Sequence, residues 1–352
     1  MKKIYITTLT ALLVFNTNKA TAQATEVIAG LSGPRSVLVN GNDLYISETS
    51  GGKISKINIT DTSPTTVDVV TGLSGPRGLV LNGDELYIVE ASANKISKID
   101  ITDTSPTAVD VLTGLNGPRG IILNGNNLYV AEYSGNKISK IDLTATTPTA
   151  VDVVTSLSGP TGLLLHGNDL YITESSANKV SKLDITDTSP AVVDFVSTGF
   201  SFPYGLALHE NVLYVPNTGG NSISKVDITA DTPSAVFEVS VSGSPSGLAL
   251  NDNDLYMAQF SDNKISKYVL PTLSSGEQLT LSDLNIYPNP SKNFIQISNL
   301  NKSLNYKVYT LLGAEVLKGS VLGNEKIDIQ SLSNQMYILQ FNNGSAIRFV
   351  KK

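Results

Sequence analysis

Residues 75–115 read GPRGLVLNGDELYIVEASANKISKIDITDTSPTAVDVLTGL, and this stretch decides the fold because the chain repeats it. Gly78-Leu79-Val80-Leu81 is apolar on both faces, as a strand buried between neighbouring sheets should be. Asn82-Gly83 supplies the dipeptide that favours positive φ and closes a tight hairpin. Glu85 to Glu90 forms the next strand, Ser92-Ala93-Asn94 turns the chain, and Lys95 to Ile101 forms a third. A connection rich in Thr, Asp and Pro, from Thr102 to Pro106, leads to a last strand around Val109-Asp110-Val111. The unit is thus four short antiparallel strands.

Its Gly-Pro step stands at Gly33-Pro34, Gly75-Pro76, Gly117-Pro118 and Gly159-Pro160, and continues in degraded form as Phe202-Pro203 and Ser244-Pro245. These prolines are 42, 42, 42, 43 and 42 residues apart, so the fifth unit carries one extra residue near Gly199. A Leu-Tyr step keeps the same beat at Tyr45, Tyr87, Tyr129, Tyr171, Tyr214 and Tyr256. Self-similarity at a fixed period marks a repeat architecture in which each unit buries its apolar faces against its neighbours. Four-stranded units of about 40 to 45 residues are the blades of a β-propeller. Helical repeats of similar length are excluded, because proline, glycine and β-branched residues saturate the unit and no run carries a helical stripe.

The ends of the array predict closure. The last unit stops after its third strand, Lys264 to Val269, while Glu26 to Leu31 matches the outer strand of a unit such as Val69-Val70-Thr71-Gly72-Leu73. An N-terminal strand that completes the sixth blade would remove two free edges. The expected fold is all-β: a six-bladed β-propeller over residues 23–270, a linker over 271–282 and a small C-terminal β-sandwich over 283–352.

The Pro-x-Gly-Leu opening, Leu-Tyr-Ile-x-Glu and Asn-Lys-Ile-Ser-Lys together resemble the NHL repeat and the related six-bladed propellers of the gluconolactonase type, over roughly residues 27–270. In the tail, Tyr287-Pro288-Asn289-Pro290, Leu312-Gly313-Ala314-Glu315-Val316 and the terminal pair Lys351-Lys352 resemble the type A C-terminal sorting domain of the Por (type IX) secretion system. That resemblance implies an address: the secretion machinery engages 283–352, and the cargo is released or attached at the surface of a Gram-negative bacterium. The first residues, MKKIYITTLTALLVFNTNKATAQA, have two lysines, a short apolar run and a small-x-small site at Ala20-Thr21-Ala22. They read as a secretory signal peptide over residues 1–22, with an apolar run too short to span a bilayer. No later segment is apolar for long enough to be a transmembrane helix.

With no cysteine among 352 residues, the chain has no disulfide framework and no thiolate nucleophile or metal ligand. A net charge of −6, with dispersed lysines, argues against nucleic-acid or anionic-membrane partners, which call for basic stripes. The propeller is expected to be a monomer.

Candidate chemistry lies at two repeated positions. Three residues after each marker tyrosine stand Glu48, Glu90, Glu132, Glu174, Asn217 and Gln259. After each proline stand Arg35, Arg77, Arg119, Thr161, Tyr204 and Ser246. In a propeller, equivalent positions form rings about the axis, so the simplest expectation is that arginines and glutamates neutralise one another between adjacent blades. The same axial ring is the candidate ligand site. Glu174, Asn217 and Gln259 face no arginine of their own units, and oxygen-rich sets suit Ca²⁺ or another hard divalent cation. The gluconolactonase resemblance implies such a metal, held by side chains from different blades. Both His166 and His209 fall where other units have asparagine at the first hairpin, and read as turn residues. Asp61, Asp103 and Asp187 read as side-chain-capped turns. Near-identical blades make a poor asymmetric catalytic site, so an extracellular binding or scaffold module for a glycan, protein or small molecule is favoured over a metal-dependent hydrolase or lactonase with an axial pocket.

Overall fold

A computed structural model describes residues 23–270, 286–298, 304–310, 314–322, 325–341 and 346–352. The expected signal peptide (1–22) and linker (271–282) lie outside the described residues, as do Leu311, Leu312 and Gly313 of the tail motif. The chain divides into two compact units, 1–270 and 271–352.

The first unit is a six-bladed propeller of four-stranded antiparallel sheets. In blade 1 the strands run outward from the axis as Pro34–Asn40, Asp43–Glu48, Lys53–Asn58 and Val67–Thr71. The second strand is buried along almost its whole length in every blade, since Leu44 and Ile46 look toward one neighbouring blade and Tyr45 toward the other. Alternation along a strand explains this: successive side chains leave opposite faces, and here both faces are covered. Tyr45, Ile54 and Val70 of blade 1 pack with Leu79, Leu86 and Ile88 of blade 2. The same pattern closes the circle, where Leu44, Ile46 and Ile57 pack with Tyr256, Ala258 and Ile265 of blade 6.

Thr25–Ala29 pairs antiparallel with Lys264–Val269 and forms the outermost strand of the sixth blade. Leu31 follows it inward, 6 % exposed, and donates its backbone N–H to Asn263 O at 2.9 Å.

Two local expectations shift by a few residues. Asn82 pairs with Glu85, so the two-residue hairpin loop is Gly83-Asp84, and the positive φ falls on Gly83 (61°) alone. A single positive φ at the first loop position is the pattern that needs glycine there. Glu210 and Asp252 occupy this place in the degraded fifth and sixth blades, at φ 54° and 51°. The capped turns sit three residues upstream of the aspartates expected. Asp100 Oδ1 accepts from Thr102 N at 2.9 Å and from Thr102 Oγ1 at 2.6 Å, and Asp142, Asp184, Asp227 and Asn58 do the same in their blades.

The second unit holds a three-stranded sheet (Ile286–Tyr287, Phe294–Ile297, Ile327–Asp328) and a four-stranded sheet (Leu304–Thr310, Glu315–Val321, Met336–Phe341, Ala346–Val350). Both contribute to one apolar core that includes Ile295, Val308, Leu339 and the stacked pair Tyr337–Phe349.

Candidate functional site

The innermost strands of adjacent blades approach closely at the axis, and five of the six blades place a glycine there, with Ser36 in the first. A Cβ on Gly120 would stand 2.1 Å from Thr161 O, and one on Gly162 2.2 Å from Tyr204 O. Gly78, Gly205 and Gly247 meet the carbonyls of Arg119, Ser246 and Arg35 in the same way. Close backbone approach is a standard reason for glycine within a strand. The result is a narrow collar that bounds an axial cavity of about 130 Å³. Its lining includes Arg35, Arg77, Arg119, Thr161 and Tyr204, the residues that follow the repeat prolines.

The expected arginine–glutamate neutralisation does not occur. Pro34, not Arg35, stands opposite Glu48 in the strand register, and neighbouring residues leave opposite faces of a strand. Each glutamate is therefore buried inside its own blade. Oε2 of Glu48, Glu90, Glu132 and Glu174 accepts the backbone N–H of Ser32, Ser74, Asn116 and Ser158 at 2.6–2.7 Å. Oε1 of Glu48, Glu132 and Glu174 accepts a third-strand serine (Ser55, Ser139, Ser181) at 2.5–2.6 Å. In blade 2 neither Ser97 Oγ nor Glu90 Oε1 has a hydrogen-bond partner, and the carboxylate leans on Lys95 Nζ at 3.3 Å. Lys53, Lys137 and Lys179 supply the matching charge at 3.3–3.6 Å, each also bound to an outer-strand aspartate.

Asn217 and Gln259 fill the same slot as amides. Asn217 Oδ1 accepts Ser201 N at 3.1 Å and its Nδ2 donates to Ser224 Oγ at 2.8 Å. Gln259 Nε2 donates to Ser242 O at 2.6 Å, and its Oε1 accepts Ser266 Oγ. Glu174, Asn217 and Gln259, the residues expected to hold a metal, are each bonded within their own blade and are not among the residues that line the axial cavity. Among the described residues, no group of three or more His, Cys, Asp or Glu could hold a metal ion. The cavity itself presents three cations and no carboxylate, a donor set that does not fit Ca²⁺.

The arginines converge on Tyr204. Blades 2 and 5 face each other across a six-membered ring, and the Tyr204 phenol bridges them by accepting Arg77 Nη1 at 2.7 Å. The Cζ atoms of Arg35 and Arg119 lie 5.5 and 6.0 Å from the Tyr204 ring centre. Two further aromatics, which sequence reasoning missed, hold these guanidiniums. Phe260 stacks under Arg35 at 3.6 Å and Tyr133 under Arg119 at 3.2 Å. Both directly follow the acidic position, where other blades have Thr49, Ala91, Ser175 and Thr218. That break in the repeat was the signal available. Thr161 and Ser246 instead turn away, bonding the backbone of the next blade at Pro203, Tyr204 and Arg35.

Burial pulls the guanidiniums of Arg35 and Arg119 below the usual arginine range; Tyr204 opposes the shift, and the positive charge of Arg77 adds to it. Arg35 and Arg119 nonetheless remain cations at any physiological pH. The Nε atoms of Arg35 and Arg77 are buried without a hydrogen-bond partner. His166 pairs with Asp169 and His209 with Val212, at the far end of the inner strands from the repeat prolines, and neither lines the cavity.

Residues 285–352 match the secretion system C-terminal sorting domain. The chain is a type IX secretion cargo. The protein is thus secreted or held at the outer surface of a Gram-negative cell, and its sorting domain is what the type IX machinery handles. No curated protein sequence matches the chain. Among solved structures, a catalytically inactive virginiamycin B lyase of Staphylococcus aureus with quinupristin is 20 % identical, with a TM-score of 0.53, covering 70 % of this chain and 98 % of that one. A protein assigned to the gluconolactonases is 12 % identical with a TM-score of 0.59, covering 71 % and 92 %. A luciferin-regenerating enzyme is 13 % identical with a TM-score of 0.58, covering 71 % and 95 %. At these identities the likeness establishes the propeller fold and no activity. Among the described residues no helix is long and apolar enough to cross a membrane.

Proposed function

We propose that the type IX cargo is an extracellular binding module whose ligand engages the axial cavity through a negatively charged group. The observation that carries this is the cluster Arg35, Arg77 and Arg119, three cations gathered at one cavity with no carboxylate among its lining residues. A structural ion-pair network would bring acids to them, as the lysines of the same blades bring Asp68, Asp110 and Asp152. Leaving three charges uncompensated costs stability, and natural proteins keep such costs where a ligand offsets them.

The same lining speaks against the hydrolase and lactonase reading. It offers no histidine or carboxylate to act as general base and no ligand set for a divalent cation. A glycan is the ligand class most accessible at a cell surface, and an acidic one satisfies the charge.

The test is retention of acidic and neutral oligosaccharides on the immobilised full chain, alongside a lactone and aryl-ester turnover assay with added Ca²⁺. Acidic ligands are expected to be retained, and retention lost in Arg35→Gln/Arg77→Gln. Metal-dependent turnover that survives these substitutions would overturn the proposal.

A further inference from the structure

We infer that the axial cavity is a receptor for one tetrahedral oxyanion, a phosphate or sulfate group, gripped by Arg35, Arg77 and Arg119 from three successive blades. The inference rests on the axial binding reading above and narrows it to a chemical class.

The cavity's charged groups are all donors, and its other polar side chains, Ser36, Thr161 and Tyr204, are hydroxyls. Arginine carries five N–H donors and no acceptor. The Tyr204 oxygen accepts from Arg77, which leaves its own proton to donate, and no acceptor bonds it among the described residues. Thr161 has its hydroxyl committed to Thr173, Ser175 and the Pro203 and Tyr204 carbonyls. A site made of donors selects a ligand made of acceptors. The Nε atoms of Arg35 and Arg77 are buried without an acceptor, so both guanidiniums are under-satisfied where they stand.

Size and directionality narrow the choice. At about 130 Å³ the cavity holds roughly four waters' worth of space and is far below the range of sites that enclose whole organic ligands. It admits a compact group while the rest of any larger molecule stays outside. A carboxylate has two oxygens in one plane and one charge, which satisfies one guanidinium in bidentate fashion. The three guanidiniums come from separate blades around the axis and call for oxygens diverging in several directions. A tetrahedral anion provides three or four.

The aromatics preorganise this grip. Tyr133 and Phe260 sit at blade junctions on opposite sides of the ring, 3/4 and 6/1, and stack on the faces of Arg119 and Arg35. Stacking occupies the π-faces and leaves the N–H edges free to donate. Immobilised donors lose little freedom when the anion arrives.

The experiment is calorimetric titration and thermal denaturation of the full chain at matched ionic strength, in chloride buffer, with five probes: inorganic phosphate, sulfate, glucose 6-phosphate, acetate and gluconate. Phosphate or sulfate is expected to bind with one-to-one stoichiometry and raise Tm saturably, with acetate and gluconate inert. Arg77→Gln is expected to weaken the oxyanion by about tenfold or more while raising the Tm of the anion-free chain, since a like charge is removed. Arg119→Gln is the second variant should the first not fold. Glucose 6-phosphate binding at least as tightly as inorganic phosphate identifies a terminal ester as the ligand. Binding of the inorganic ions alone identifies the free anion. Acetate or gluconate binding as tightly as phosphate overturns the tetrahedral assignment and leaves the axial binding reading standing. No saturable anion binding by any probe overturns both.

Discussion

Glu132 and Arg119 belong to the same blade, and the register of two strands gives them opposite roles. Glu132 is buried among a backbone N–H, a serine and a lysine of its own blade, whereas Arg119 emerges at the axis with an aromatic ring under it and no acid beside it. Glu132→Ala leaves Asn116 N–H and Ser139 without an acceptor and should cost about 1–3 kcal/mol in urea denaturation. Glu132→Gln should cost less, because Gln259 occupies the same slot in blade 6. Gly120→Ala is the sharper test of the collar. Its Cβ would lie 2.1 Å from a carbonyl that cannot move without shifting blade 4, so a loss of about 3 kcal/mol or more is expected. Both positions were visible in the sequence as repeated markers. Which residue reaches the axis was not, because it depends on the face a residue leaves, and the bulge between Pro118 and Ile121 sets that.

At the scale of the element, the four strands of each blade were legible from alternation and turn chemistry, and the misplacements were confined to turns. The connection after the third strand illustrates why. Several aspartates compete for the role of cap, and the winner is the last strand residue, whose carboxylate can reach both the N–H and the hydroxyl of the threonine two residues on. In Asp100, Asp142, Asp184 and Asp227 this side-chain hydrogen bond, and then the backbone one, hold the carboxyl below the ordinary aspartate value of 3.8. A depressed folded-state pKa contributes stability that is fully present above the unfolded value and is lost as pH falls through the folded one. The four turns should therefore weaken below about pH 4. Asn58 shows that the neutral amide makes the same two bonds in blade 1, at 2.9 and 2.7 Å. Replacing all four aspartates with asparagine should leave Tm at pH 7 nearly unchanged and flatten its fall between pH 5 and pH 2. Parallel curves for variant and parent would assign the acid sensitivity to other groups.

For the whole molecule, the number of blades followed from the count of repeated markers, while the functional site required the ring to be closed. Arg77 and Tyr204 are 127 residues apart and meet only because blades 2 and 5 face each other across the axis. Closure itself depends on the outermost strand of blade 6 coming from the other end of the array. Thr25–Ala29 pairs with Lys264–Val269, Glu26 lies 3.7 Å from Lys264, and Leu31, Val27 and Ile28 join the apolar cluster shared by blades 6 and 1. A ring stores its stability in junctions, each blade burying its faces only against two neighbours. Opening one junction exposes two faces and also releases the inner strands that aim the arginines. Deleting residues 24–31 from the full chain should therefore lower Tm by about 10 °C or more in a single cooperative transition. It should also abolish anion binding at temperatures where the shortened chain is still folded. Hydrogen exchange would locate the effect: protection should fall in Asp43–Glu48 of blade 1 and Asp254–Gln259 of blade 6 together. Loss confined to Lys264–Val269, with binding intact, would mean that contacts between inner strands close the ring and that the N-terminal strand only covers an edge.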